Sequence, residues 1–477
     1  MGLAKRKAIG VRKKVLQQIQ TLATSAILAG ALASCALAPE PRPLPTLDSL
    51  SWYTAEADKE ANAKQALEWA MVVDITATQA AIQQALKNNP DLQANAARWQ
   101  AALAQRNASY GSRFPAIDAG LNSQRRDANG AQTDTANVAL SLNWELDVWG
   151  RVANSALASK YSAEQQSWLY LQAQRSLAAR TVSGVLDAVA AKQQLSLAQQ
   201  RQQAVDNNLH TIEEGFNRGI RSALDLYSAQ AEAADAARNT ASQQKAAADS
   251  HYSLALLLGS NASQVDKYLP TSLPTVETTL PSKFSSHHLI RRPDLQAAEA
   301  AVKAQQRNAQ IAWANRLPRL SLSGDYGASN EQLGEVLAGN NEVWSVLGGL
   351  SAPLFKGRQL ANEQKRQGFL LDAAIAEYKQ TALRAFIEIE QSLSNEHWLA
   401  RQLTAAKVAD AASAQAEQQA KEQYLSGLAP ISTWLQAQRI AFDRSGLVIQ
   451  LATLQAQNRL NLHLALGGDV GIKTYAQ

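Results

Sequence analysis

The sequence predicts a mainly α-helical, internally duplicated protein with a small β part. Three observations carry this. Two stretches of more than sixty residues, Arg151 to Phe216 and Arg358 to Tyr424, contain no Pro and very little Gly. Four shorter runs alternate apolar and polar residues with a period of two, as half-buried strands do. A set of short motifs also occurs twice, in the same order, about 205 residues apart. The composition agrees: the apolar fraction of 46% is carried by Ala and Leu among many Gln, with only 6% aromatics and 13 Pro in 477 residues.

At the N-terminus, Lys5, Arg6, Lys7, Arg12, Lys13 and Lys14 precede an apolar, small-residue segment from Leu22 to Ala33. That segment is too short to span a membrane and has the layout of a secretory signal. It ends in Leu32-Ala33-Ser34-Cys35, which resembles a bacterial lipobox. Cys35, the only cysteine, then becomes a lipidated first residue of the mature chain. Each buried methylene is worth ~0.8 kcal/mol, so two or three acyl chains such as palmitate anchor a protein durably. Ala36 follows where an Asp would favour inner-membrane retention, so the anchor points to the outer membrane. Pro39, Pro41, Pro43 and Pro45 make a stiff, extended tether. The six leading bases also account for the formal charge of +5, since without them 40 bases face 41 acids. A near-neutral mature chain with no later basic run argues against nucleic acid as a partner.

The duplication fixes the domain plan. Asn89-Pro90-Asp91-Leu92 recurs as Arg292-Pro293-Asp294-Leu295, and Phe114-Pro115 as Leu317-Pro318. Trp149-Gly150-Arg151 answers Lys356-Gly357-Arg358, Phe216-Asn217-Arg218-Gly219 answers Tyr424-Leu425-Ser426-Gly427, and Leu258-Gly259 answers Leu466-Gly467. Residues 1–34 read as signal peptide, 35–70 as lipidated Cys and tether, and 71–270 and 271–477 as two structural repeats. In each repeat a helix begins at the Pro-Asp, where Pro suits a first turn, and ends near the second Pro. Two strands follow, near 116–147 and near 319–355. Val138, Leu140, Leu142, Trp144 and Leu146 alternate with polar or small residues, as do Leu320, Leu322 and Tyr326, and as do Trp344, Val346, Leu350 and Leu354; Ile117 to Leu121 is the weakest run. Strands of about 10 residues suit a tilted bilayer crossing, and Trp144, Trp149 and Trp344 fall near strand ends, where interfacial aromatics belong. Four strands cannot close a barrel and open edges cannot lie in lipid, so several copies must share one; three copies give twelve strands.

Each long segment that follows reaches roughly 100 Å as a helix. Leu371, Ile375, Tyr378, Ala382, Ala385 and Ile389 step by four and three, as do Val205, Leu209, Ile212 and Phe216, the spacing of coiled-coil seams. Gly219 and Gly427 then turn the chain, and a second helix returns, with Pro430 at a helix start.

Together these features resemble the TolC-type outer-membrane efflux proteins, in particular the lipoprotein branch paired with resistance-nodulation-division pumps. The resemblance covers residues 35 to about 470, with the two tip turns, Asp225, Ala229-Gln230 and Ala437-Gln438 as its most specific marks. It implies a homotrimer with a shared twelve-strand barrel in the outer membrane, a twelve-helix tunnel, an equatorial belt, and a periplasmic tip closed until a partner engages it. It also implies a periplasmic adaptor and an inner-membrane transporter as partners. The family latch pairs a Tyr before the second Gly with an Asp after the first; Tyr424 and Asp225 stand at those positions. Such a hydrogen bond is worth at most about 1.5 to 3 kcal/mol, and less where water reaches it. The plainer alternative packs Tyr424 in the seam and leaves Asp225 to cap its helix. This chain departs from the pattern where it has Ala429 in place of a latch Arg and Thr433 and Gln436 in place of ring Asp residues, while Arg221 supplies a base on the other hairpin. A neutral constriction is therefore expected.

Other classes are less well served. The six His residues form no metal-spaced motif, and neither a nucleophile elbow nor a phosphate loop is present, so no catalytic residue, cofactor or metal is expected. A coiled-coil envelope lipoprotein without a pore has no use for alternating strands. A duct for protein secretion would keep the channel and change the pump.

Overall fold

The structure, a computed structural model, describes residues 42–44, 56–57, 78–274, 276, 283–284, 291–337 and 341–468. Cys35 and the signal segment lie outside them. The first half runs through helices α1 (Gln79–Asn88) and α2 (Pro90–Gly111), strands β1 (Ala116–Ala128) and β2 (Ala131–Leu146), and helices α3 (Arg151–Asn217) and α4 (Ala223–Leu258). The second runs through α5 (Pro293–Ala314), β3 (Arg319–Asn330), β4 (Glu342–Ser351), α6 (Gln359–Leu425) and α7 (Ile431–Ala465). Helices α3 and α6 are each 67 residues long. No helix among the described residues is long and apolar enough to cross a membrane.

The chain forms two compact units. Among the described residues, one comprises 42–44, 100–165, 298–337 and 341–378, the other 56–57, 78–99, 166–274, 276, 283–284, 291–297 and 379–468. In the first unit the strands pair antiparallel in the order β1-β2-β3-β4, leaving β1 and β4 as edges. Asn129 and Gly130, both at positive φ, close the β1–β2 hairpin. Asn-Gly is the pair that a two-residue hairpin turn demands, because its twist matches that of the strands. Between β3 and β4 the connection is longer and carries a short helix, Leu333–Leu337, whose Val336 is buried.

Strand β4 ends at Ser351, short of the expected 355. Pro353 has no N–H to continue a ladder, and Leu354, read above as part of the alternation, is 94% exposed beyond the strand. Strands β1 and β2 are longer than the expected ten residues, at 13 and 16.

In the second unit, α1, α3 and α4 enclose a core that includes Ala85, Val185, Ala188, Val189, Leu254 and Leu258. Small residues such as Ala85 and Ala188 let these helices approach closely. Ala382, Ala385 and Ile389 are buried as the heptad spacing predicts, and so are Val205 and Ile212, whereas Phe216 at the end of that seam is 39% exposed. The returning helices end alike. Gly259 and Gly467 adopt positive φ, and the N–H groups of Ser260 and Gly468 reach back to the carbonyls of Ala255 and His463. This is the Schellman ending that releases a helix without orphaning its carbonyls.

Candidate functional site

Two regions hold the residues singled out by the sequence, one in each unit. In the first unit the register of the sheet sorts its side chains by face. Leu142 pairs with Ile117 and Gly324, Leu140 with Ala119 and Tyr326, and Tyr326 with Trp344, so one face is apolar across all four strands. It extends along β2 from Leu146 to Val138, about 26 Å at ~3.3 Å per residue, close to the height of a bilayer's apolar band. Its side chains are open: Ile117 is 68% exposed, Val346 67% and Trp344 74%. On the opposite face Asp325 accepts hydrogen bonds from Ser141 Oγ at 2.6 Å and Ser345 Oγ at 3.2 Å. Asn143 and Ser323 share that face, with Val343 and Leu347 as its apolar members.

The three expected interfacial tryptophans occupy different levels. Trp144 lies near the helix end of the apolar face and donates its indole N–H to the Arg113 carbonyl at 3.1 Å. Trp344 sits beside Tyr326 toward the other end. Trp149 lies beyond β2, where its N–H, donated to the Pro318 carbonyl at 2.6 Å, joins the end of one strand to the start of the next.

In the second unit the two tip turns share a backbone. Gly219 and Gly427 have φ of 74° and 75°, and Ile220 N–H and Leu428 N–H return to the carbonyls of Gly215 and Gln423. Their side chains differ. Ser222 caps α4 by accepting from Asp225 N–H at 3.1 Å, and the Asp225 carboxylate accepts from Ser222 N–H at 3.1 Å, a complete capping box. Pro430 starts α7 with no side-chain cap.

Tyr424 is 3% exposed, in a cluster with Ile212, Ala229, Ile431, Trp434 and Leu435. Its hydroxyl is buried and has no hydrogen-bond partner among the described residues. The expected bond from Tyr424 to Asp225 is therefore not made within the chain: the Tyr424 hydroxyl is buried in the cluster, and Asp225 caps its own helix start. Burial raises the pKa of the Tyr424 hydroxyl; Arg221 draws it back down, and Asp225 adds a smaller push upward. The contact that joins the two hairpins is instead aromatic and cationic. The Arg221 guanidinium lies over the Tyr424 ring at 4.2 Å, and the Trp434 ring centroid lies 5.4 Å from that of Tyr424. Gly215 makes room for this, since a Cβ there would meet Arg221 Cγ at 2.6 Å. Trp434 in turn donates to Glu417 Oε1 at 2.9 Å. Trp434, Glu417 and Gly215 were missed in the sequence, and the signal for the first was a lone aromatic one turn into a helix that starts at Pro. Thr433 and Gln436 are exposed on the first turns of α7.

Among the described residues no group of His, Cys, Asp and Glu is placed to hold a metal ion. A sheet with one greasy and one wet face, attached to uninterrupted helices of 67 residues, defines the class of outer-membrane channels built from strands and helical hairpins. The chain belongs to the outer membrane efflux protein family, whose model matches residues 81–260 and again 285–468. It is 29% identical over 461 residues to outer membrane protein OprJ of Pseudomonas aeruginosa, covering 93% of this chain and 94% of that one. It is 30% identical over 421 residues to the toluene efflux pump outer membrane protein TtgC of Pseudomonas putida, covering 84% of each. A crystal structure of a membrane protein from Pseudomonas aeruginosa superposes with a TM-score of 0.80 at 26% identity, covering 91% of this chain and 100% of that one. The fold is thus TolC-like, and the protein is an outer-membrane efflux protein.

Proposed function

We propose that three copies of this chain form the exit duct of a tripartite efflux system, carrying small molecules passively across the outer membrane from an adaptor and an inner-membrane pump. The observation that carries the reading is the sheet. Its edges β1 and β4 offer unpaired N–H and C=O groups beside an apolar face, and in lipid such groups cost several kcal/mol each until another copy pairs with them. Three copies close a barrel of twelve strands, with Asp325 and its serine partners facing water inside.

An acyl anchor on Cys35 is compatible with this placement. Gln306 Nε2 donates to the Arg42 carbonyl at 2.9 Å, and the Arg42 guanidinium pairs with Asp372. From Gln306 to the end of α5 is about 12 Å, and seven residues span at most about 25 Å, which is enough chain for a lipid on Cys35 to reach the helix-end edge of the sheet. A relative 25% identical over 466 residues, SilC of Salmonella typhimurium, is named a probable outer membrane lipoprotein.

The tips act as the gate, with Arg221, Tyr424 and Trp434 holding the hairpins together and Asp225 shaping the first turn. The exposed Thr433 and Gln436 make the constriction neutral. Purified lipoprotein in planar bilayers tests the reading: discrete channels from a cross-linkable trimer are expected, with weak block by multivalent cations. A monomer that yields no conductance would refute the duct, and strong block at low cation concentration would refute the neutral constriction.

A further inference from the structure

In the first unit a cavity of about 460 Å³ lies between α2 and α3, room for part of a lipid. Its wall is apolar, made by Tyr110, Ala153, Ala156 and Leu157. Arg106, Arg113 and Lys160 also line it, and no Asp or Glu does. Arg106 donates only to Asn107 Oδ1, and none of the three cations forms an ion pair among the described residues. Arg113 lies over the Tyr110 ring at 5.3 Å, and that ring meets Phe114 edge-on at 5.8 Å.

The cavity adjoins the membrane face. The Arg113 carbonyl takes the indole N–H of Trp144, a residue of the apolar face, and Ala153 to Lys160 occupy the first turns of α3, directly after β2. Tyr110 and Phe114 are 52% and 59% exposed at this level, the arrangement of aromatic side chains at a headgroup layer. An apolar wall continuous with the lipid-facing sheet, together with three cations and no acid, is complementary to one kind of occupant.

We infer that this cavity binds an anionic phospholipid of the leaflet next to the helices, its phosphate held by Arg106, Arg113 and Lys160 and an acyl segment laid against Tyr110 and Leu157. The inference rests on the channel reading only in placing the sheet in a bilayer. Such a lipid fixes the depth of the sheet and buttresses the joint between strands and helices.

Native mass spectrometry of the full, detergent-extracted assembly after exposure to phosphatidylglycerol or phosphatidylcholine tests it. Phosphatidylglycerol should be retained and phosphatidylcholine released, and the triple variant Arg106→Gln, Arg113→Gln, Lys160→Gln should bind phosphatidylglycerol roughly a hundredfold more weakly, at about fivefold per cation. Leu157→Trp, which fills the cavity without altering charge, should displace the lipid if the triple variant does not assemble. Equal retention of the two lipids, or unchanged retention in a variant that assembles, would overturn the site. So would shielding of Lys160 from amine labelling in the lipid-stripped assembly, since a second copy would then cover the cavity. Conductance reports on the channel independently: a conducting assembly without lipid preference sinks this site alone.

Discussion

The two halves of the chain share a backbone but not the chemistry that holds it. In the first half, Ala188 and its neighbours Val185, Val189 and Leu254 form an apolar core between α3 and α4. In the second half, 208 residues on, Ala188 is matched by Glu396 and His251 by Arg459. Glu396 and Arg459 are 3% and 0% exposed and pair at 2.5 Å, with Asn458 donating to Glu396 Oε2 at 3.1 Å and to the Ser392 carbonyl at 2.9 Å. The entry to each half differs in the same sense. Asn89 Nδ2 donates to the Leu257 carbonyl at 3.1 Å; its counterpart Arg292 donates to the Ala465 carbonyl at 3.2 Å and also pairs with Asp294 and Glu388. Apolar contacts tolerate small displacements along a helix axis, whereas a buried ion pair is satisfied in one register only. The two halves keep the same helical hairpin, and the second adds a directional lock to it.

Breaking that lock should give the largest effect. Glu396→Ala leaves Arg459 buried and charged without its carboxylate, and a loss of about 3–5 kcal/mol is expected in thermal unfolding followed by circular dichroism. Glu396→Leu combined with Arg459→Met should recover most of it by rebuilding the apolar core of the first half. A double variant as unstable as the single one would show that the pair contributes more than register.

The glycines sharpen the comparison next. A Cβ on Gly259 would lie 2.5 Å from the Asn88 carbonyl oxygen, whereas one on Gly427 would meet nothing within 4 Å. Gly259→Ala should cost about 3 kcal/mol, strain plus crowding, and Gly427→Ala about 1 kcal/mol from the left-handed backbone alone. Equal losses would mean that crowding at Asn88 relaxes freely. At the tips, Tyr424→Leu removes the platform for Arg221 and should raise closed-state conductance about fivefold, for ~1 kcal/mol of lost cation–π contact. Tyr424→Phe keeps the ring and should leave conductance unchanged, because the hydroxyl has no partner among the described residues. An increase with Phe as large as with Leu would restore the hydroxyl to the gate.

The sequence made legible whatever is periodic or repeated. The ends of α3 and α6 fall within a residue of the expected ones, because Trp149-Gly150-Arg151 and Lys356-Gly357-Arg358 mark their starts and Gly219 and Gly427 their stops. The apolar face was readable from Val138 to Leu146 because alternation there is strict. Strand β1 was faint because its polar end, through Arg125, Arg126 and Asp127, lacks alternation, and the hairpin signal of Asn129-Gly130 was passed over. The stacking of Arg221 on Tyr424 was not legible, since it joins residues 203 apart and depends on the space left by Gly215. Nor was the Glu396–Arg459 pair, which on a helical wheel looks like two more charges on a polar face.

The smallest effect concerns a second charge placed between helices, without a partner of opposite sign among the described residues. Asp187 lines a cavity with Gln194, Gly446 and Gln457, and burial raises its pKa above the ordinary carboxylate value, the hydrogen bond from Gln457 at 2.6 Å only partly opposing it. The folded state therefore binds this proton more tightly than the unfolded chain does. Stability from this group is greatest at low pH and falls as pH rises through the unfolded and then the folded pKa, after which it is level. Asp187→Asn keeps an oxygen to accept from Gln457 and removes the charge. It should raise the melting temperature slightly at neutral pH and make no difference near pH 3. A variant less stable at neutral pH would show that the carboxylate finds a cation in the assembled protein, as Glu396 finds Arg459 within the chain.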